Sequence, residues 1–489
     1  MLLCVILLFF NNFHIGSYDA KSAYLLTRSI VDRGEFYLSK DHSNYGREGR
    51  DGRIYIKYGL MRSIAAIPLY ILGKSASIFV PWVSKELLCE ALTSISNIFF
   101  TALTAFLIFK LFLLHSVSQR MSRIAGILYL LSTISLQYSR DMMGEPLVAM
   151  FLLYSFYKLI IYDRYRFKKD IISAGMYFGA AVLTVSSILL LLPVFIFVFS
   201  GIFLDRKILK IIKNKSLIFF SLPVLSFMIV ILLYNYVRFG DIFESGYGSE
   251  IHDGFSYPFF RGLFGILLSP GKGIFITSPI LLCGLFIIKK NYNDYPALFK
   301  TGISITIILS LFYAKWYVWG SSVWGVRFLL PAVPFLFLLL LPLFKSNDIS
   351  GSIRYVFYLL TVTSIIFQIL SVSVNPTREK RRMMVMNNWS ETEVEEAQSF
   401  SIRHSPFIGQ LRSIKYVIKS EDTNISFSRE KNAEYSKIFS WNIIDIAPVW
   451  IYYYFRLRCS TFIIIVVVWL AVITLLIHKT MSLFFYWTR

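Results

Sequence analysis

The chain has 489 residues, of which 56% are hydrophobic, 17% aromatic and only 16% charged. Soluble domains carry about 25% charged residues, so this balance excludes an ordinary soluble enzyme and points to a lipid bilayer. The net charge, 50 − 29 = +21, would suggest nucleic acid in a soluble chain; among apolar runs it reflects Lys and Arg on cytoplasmic loops, and no nucleic-acid partner is expected.

Apolar runs such as "TALTAFLIFKLFLLH" and "FLLPAVPFLFLLLLPLF" recur from end to end. They predict spans at roughly 1–16, 87–113, 123–139, 146–162, 171–185, 187–204, 216–236, 274–288, 299–315, 328–344, 353–374 and 460–478. The fold class expected is an all-α polytopic membrane protein of about 10–12 spanning helices, some shorter than the usual length of about 20 residues. The first run has no Lys or Arg ahead of it and no small-residue cleavage site, and reads as an uncleaved span. Alternation from a cytoplasmic N-terminus puts the basic segments 163–170, 205–215 and 289–300 inside. The hydrophilic stretches 17–86, 237–273 and 375–459 then fall outside. The expected organisation is a membrane region 1–374 with 17–86 as its first outer loop, an extracytoplasmic segment 375–459, and a last span with a cytoplasmic tail at 460–489. Cys4, Cys89, Cys283 and Cys459 lie in or beside apolar runs, without metal-ligand spacing or a disulfide framework.

The first outer loop opens with a lone acid, Asp19. Ala23, Leu25, Leu26 and Ile30 follow at helical spacing, with Gly34 as a stop, which predicts a helix lying on the membrane surface. Asp51-Gly52 reads as a turn, "RIYIKY" alternates, and Gly59 precedes an apolar segment that returns to the bilayer. Asp19 has two readings: a base beside a substrate hydroxyl, or a cap on its helix. Next, "LQYSRDMMGEPL" packs Arg140, Asp141 and Glu145 into one short outer connection, with Pro146 starting a helix. It is either part of a site or a solvated turn with an internal ion pair.

In "SPGKGIFITSPILL" the glycines allow close approach to a phosphate, with Lys272 as a contact or merely as a membrane-face cation. The spacing is not that of a P-loop. In "YAKWYVWGSSVWGVRFLLPAVPF", Trp316, Trp319 and Trp324 precede Gly325 and Arg327 at the mouth of a span. Aromatic faces stack on sugars and arginine grips phosphate, while the alternative is an interfacial aromatic belt with a snorkelling arginine. The acidic stretch "NNWSETEVEEAQSF" in 375–459 either holds an acceptor or covers the site. Zinc-ligand clusters, a nucleophile elbow, and Rossmann and Walker signatures are absent from the sequence.

The order of first span, acid, surface helix, "DGRIYIKYG" turn and "SIAAIPLY" return resembles the polyprenyl-phosphate-dependent glycosyltransferases of the GT-C superfamily. These include the protein O-mannosyltransferases and the aminoarabinose transferase of lipid A. The "SPGKG" and "WYVWGSSVWGVR" elements extend the resemblance, with Ser321 standing where the second glycine of the latter is usual. It covers most of 1–345 and, more loosely, 375–459. It implies a GT-C-type bundle with outer-face amphipathic helices in a bacterial or archaeal cytoplasmic membrane. It implies Asp19 as catalytic base and Glu145 as the acid that orients the base or a metal. It further implies Lys57, Tyr58, Arg140, Lys272, Trp324 and Arg327 at the donor phosphate and sugar. A divalent cation, Mg or Mn, stays open, with Asp19 and Glu145 as its ligands. The implied activity is inverting sugar transfer from a polyprenyl-phosphate donor to a glycan, lipid or protein acceptor on the outer face. A flippase or exporter of lipid-linked saccharide, and an O-antigen polymerase or ligase, are the alternatives.

Overall fold

The computed structural model describes residues 2–200, 216–248, 250–321, 324–345, 349–419, 444–454, 467–469, 471 and 474. The chain is an all-α polytopic membrane protein. Among the described residues six helices are long and apolar enough to cross a membrane. They are Lys85–Leu114, Glu145–Tyr165, Leu217–Phe239, Pro296–Tyr313, Arg327–Lys345 and Gly351–Ser373. The Arg327–Lys345 segment is central, with 83% of its apolar window buried, against 11% for Leu217–Phe239. On the latter, Ile218, Leu222, Leu225, Ile229 and Leu233 stay exposed and form a face toward lipid.

Two expected spans, 123–139 and 274–288, are interrupted in the structure. The apolar N-terminal helix is described only over Leu2–Phe9, because Asn11 accepts the Phe13 N–H at 2.7 Å and Phe13 takes φ 53, which turns the chain. The expected span 274–288 is broken into Ile274–Thr277, Pro279–Leu281, Leu282–Phe286 and Ile288–Asp294, since Pro279 interrupts the backbone ladder. The expected span 123–139 is shortened to Gln119–Ser132 and a single turn, Ser135–Tyr138. The basic segment 205–215 and nearly all of 460–478 lie outside the described residues.

The helix hairpin Glu145–Tyr165 and Lys168–Thr184 orients the site. Twenty-one residues carry the first helix about 30 Å. It then turns at Arg166, φ 58, and the second helix comes back, with Ser155 Oγ donating to the Ala174 carbonyl at 2.8 Å. Glu145 and Thr184 therefore sit at one end and the basic turn 163–170 at the other. Lys345 and His115 meet the ring of Tyr295, which marks the same far end for 289–300.

At the near end lie the predicted surface helix, Tyr18–Arg33, and a two-residue hairpin, Arg47–Glu48 with Ile54–Tyr55. Gly34 ends that helix in the left-handed conformation, φ 71, and Gly52 takes φ 73 in the hairpin turn. The segment after Gly59 is the helix Met61–Phe79, which carries Pro68. The helices Thr377–Asn387, Glu391–Phe400 and Pro406–Lys419 complete this end.

Candidate functional site

Ser17 caps the Tyr18–Arg33 helix, its Oγ accepting the Ala20 N–H at 3.2 Å. Its own N–H donates to Asp141 Oδ2 at 3.2 Å, which ties the helix to the 140–145 connection. Asp19 is thus the second residue of the helix and not its cap. Its carboxylate faces a cavity of about 560 Å³ among the helix ends, within the usual range of small-molecule sites.

Arg327 Nη1 lies 2.8 Å from Asp19 Oδ2, and Arg327 Nε lies 3.8 Å from Glu145 Oε1. The Tyr58 hydroxyl donates to the other Asp19 oxygen, Oδ1, at 2.5 Å. Burial disfavours the Asp19 anion, but the charges of Arg327 and Arg62 outweigh it, and the Tyr58 hydrogen bond adds to them. The carboxyl is held below the usual carboxylate range. Burial and the Asp19 charge push the Tyr58 phenol far above its ordinary value, so it stays a donor. Lys57 lies 2.6 Å from Glu250 and 5.0 Å from the Tyr247 ring, on the same cavity.

Local sequence explains the convergence. A Cβ at Gly59 would fall 2.3 Å from the carbonyl oxygens of Leu183 and Thr184, so only glycine lets the Tyr58 strand end press against the hairpin. Gly325, φ 60, would place a Cβ 2.8 Å from Ile134 and 3.0 Å from Thr277, and its left-handed turn delivers Arg327 to the cavity. Pro146 at the start of its helix leaves Glu145 at the helix N-terminus, where the dipole favours a carboxylate.

Five of the expected site residues therefore line one cavity: Asp19, Lys57, Tyr58, Glu145 and Arg327. Three do not, and their placement is corrected. Arg140, 2% exposed, is paired with Asp445 at 2.7 Å. Trp324 is fully buried, edge-on to Phe407 at 4.7 Å, with its carbonyl accepting the Tyr138 hydroxyl. Lys272, 1% exposed, donates to the Gly320 carbonyl, and burial brings its ammonium down to about 8. A cation or ring in an outer connection points inward or outward according to packing, which its sequence neighbourhood does not record.

Sequence reasoning missed Arg62. It is 7% exposed, stands 4.4 Å over the Tyr58 ring, and lines the cavity with Nε and Nη2 buried and without a hydrogen-bond partner. The available signal was an arginine in the first turn of a largely apolar helix, four residues after Tyr58. Tyr247 and Glu250 also line the cavity and were not singled out for it, and Trp316 of the tryptophan element lines it as well.

A metal is not suited to these donors as they stand. The Arg327 guanidinium already lies between the two carboxylates, and no group of three or more His, Cys, Asp or Glu able to hold an ion occurs among the described residues.

No family model and no curated protein matches the sequence. Among solved structures the chain is similar to ArnT from Cupriavidus metallidurans bound to undecaprenyl phosphate. The identity is 10%, over 85% of this chain and 70% of that one, with a TM-score of 0.47. The apo form of the same protein gives 10% identity over 85% and 76%, with a TM-score of 0.44. The archaeal oligosaccharyltransferase AglB from Archaeoglobus fulgidus, in complex with an inhibitory peptide and a dolichol-phosphate, is 12% identical, with a TM-score of 0.41. That match covers 83% of this chain but only 60% of AglB.

Proposed function

We propose that the chain is an integral-membrane glycosyltransferase. It takes a sugar from a polyprenyl-phosphate donor and adds it, with inversion, to a hydroxyl of a glycan, lipid or protein acceptor at the outer face of a cell membrane. The observation that carries this reading is the grouping of an anionic Asp19 with Tyr58, Arg62 and Arg327 at one cavity among apolar helix ends.

The chemistry follows from the charges. Asp19 accepts the proton of the acceptor hydroxyl as its oxygen bonds to the anomeric carbon. The bond from that carbon to the phosphate oxygen breaks, and the lipid phosphate leaves with its electron pair. Arg62, Lys57 and Arg327 offset the charge that develops there. A single displacement inverts the anomeric centre. In the resting site Arg327 weakens Asp19 as a base; a donor phosphate competes for that guanidinium, so the carboxylate gains basicity once the donor is bound.

Mass spectrometry of surface glycolipids and glycoproteins, with and without the gene, tests the reading. One missing sugar is expected. Unchanged glycans, together with movement of intact lipid-linked saccharide across proteoliposomes, would replace transfer by transport.

Arg62 has a separate expectation. Its two unpartnered nitrogens suit a phosphate, and hydrogen bonds to charged groups contribute about 1.5–3 kcal/mol. Arg62→Gln should therefore raise the donor KM roughly ten- to hundredfold with a smaller change in kcat. An unaltered donor KM would remove Arg62 from the donor site.

The sidedness of the proposal rests on the basic turns at the end away from Asp19. In a cysteine-free background, exposed Asn44→Cys should react with an impermeant thiol reagent added outside sealed cells, whereas exposed Lys168→Cys should not. The opposite pattern would place the site in the cytoplasm.

A further inference from the structure

A second cavity, of about 830 Å³, opens beside the first. Tyr317 lines both, and the stretch around it forms the partition: Trp316 and Val318 face the first cavity, Trp319 and Gly320 the second. The opposite wall is the helix Glu391–Phe400 with the preceding Trp389, and Tyr257 closes one side.

This wall is braced. The Gly271 N–H donates to the Ser399 carbonyl at 3.1 Å, and the buried Lys272 holds the Gly320 carbonyl. The "SPGKG" segment thus clamps the partition to the far helix, which gives that motif a structural role. Ser390 and Glu393 form a reciprocal capping box, which fixes the start of the helix.

The lining chemistry selects the class of ligand. Aromatic groups dominate: Tyr257 packs edge-on to Trp319 at 5.9 Å, Tyr317 is 47% exposed, and Trp389 is half-buried. Two of the three carboxylates are already matched in charge, and the third, Glu393, accepts the N–H and hydroxyl of Ser390 in the helix cap. Glu395 pairs with Lys380 at 2.8 Å, and Glu396 takes Arg261 and the Tyr257 hydroxyl. A cation therefore gains little here, and an anion would meet three glutamates. What these groups still offer is unused carboxylate lone pairs and aromatic faces. That combination fits the C–H face and the hydroxyls of a neutral pyranose.

We infer that the second cavity binds a neutral sugar unit of the acceptor, next to the site where the new bond forms. The inference rests on the glycosyltransferase reading for the reaction it serves, but binding can be measured without turnover. The full chain in lipid nanodiscs, free of sugar-headed detergent, is titrated by saturation-transfer NMR. The probes are trisaccharides of mannose, of glucose and of N-acetylglucosamine, with glucosamine as a cationic comparator. At least one trisaccharide should bind, and Trp389→Ala should weaken it by about tenfold, while Trp389→Phe keeps a stacking face and most of the affinity. Ser17→Ala should leave binding within about twofold, since Ser17 lines neither cavity.

Absence of binding by all three trisaccharides, binding of glucosamine alone, or equal affinity in Trp389→Ala would overturn the assignment. A protein that binds a trisaccharide through Trp389 but transfers no sugar from any polyprenyl phosphate would keep this cavity and lose the catalytic reading. Sugar transfer without trisaccharide binding would do the reverse.

Discussion

Asp19→Asn should lower sugar transfer by about 10²–10⁴-fold, because it removes general-base assistance; it also takes the anion from the Arg327 ion pair, so protein level and thermal midpoint are measured alongside. The geometry keeps this mutant clear of the helix cap. Ser17, not Asp19, caps the helix, so the change leaves the backbone ladder intact. The opposite substitution is the control. Ser17→Ala should cost about 1 kcal/mol of stability and leave the chemical step close to wild type. Transfer by Asp19→Asn within a few-fold of wild type, at normal protein levels, would end the base assignment.

A pH profile adds a second reading of the same carboxylate. Its folded-state pKa lies below the ordinary 3.8. The stabilisation from its ionised form is therefore present above the unfolded value and lost as pH falls through the folded one. The acid limb of kcat/KM, which reports free enzyme, should lie below 3.8. At saturating donor, with Arg327 drawn toward the phosphate, the acid limb of kcat should move upward. Identical limbs under both conditions would mean that Arg327 stays on Asp19 throughout the cycle.

The parts of the molecule legible in the sequence are those in which local chemistry decides the outcome. The spans with unbroken apolar runs were placed within a few residues, as at Glu145–Tyr165 and Gly351–Ser373. Gly34 and Asp51-Gly52 were legible as a helix stop and a turn because a left-handed φ favours glycine. The run 274–288 was legible as apolar, but its mean hydropathy says nothing of Pro279, which helps divide it into short helices.

Asp19, Lys57, Tyr58, Glu145 and Arg327 could be singled out in the sequence from the segments that carry them, but not their meeting at one cavity. It depends on contacts between residues 39, 126 and more than 300 positions apart: Tyr58 with Asp19, Ser17 with Met143, and Arg327 with Asp19. Arg62 was missed for a related reason. Its first-turn position looks like a helix start, and only tertiary packing turns it under Tyr58 with two nitrogens unpaired. Arg140 and Lys272 erred in the other direction, since both charges are consumed by oxygen partners of the fold itself, Asp445 and the Gly320 carbonyl.

Arg327→Ala should be the most damaging single change, with activity reduced by at least about 10³-fold, because it removes two things at once. One is a donor to the leaving phosphate, and losing such a group costs about 10²–10³ in rate. The other is the cation that lies between Asp19 and Glu145, at 2.8 and 3.8 Å. Without it the two carboxylates share the cavity mouth with only Arg62 and the Tyr58 hydroxyl left to offset Asp19, and the Asp19 pKa rises. Breaking one side of a buried pair costs about 3–5 kcal/mol. The lower end applies here, since Asp19 and Arg327 keep 20% and 14% exposure. The thermal midpoint should fall with the activity.

Arg327→Lys separates the two effects. A lysine restores positive charge between the carboxylates, so stability should recover most of the loss. It lacks the planar fork that reaches two acceptors together, so phosphate grip should recover only in part. Adding Glu145→Gln to each variant measures the coupling: a guanidinium that spans both acids predicts non-additive losses, most of all in stability. Near-wild-type transfer in both Arg327 variants, with additive effects of Glu145→Gln, would reduce this arginine to a side chain reaching for the membrane interface.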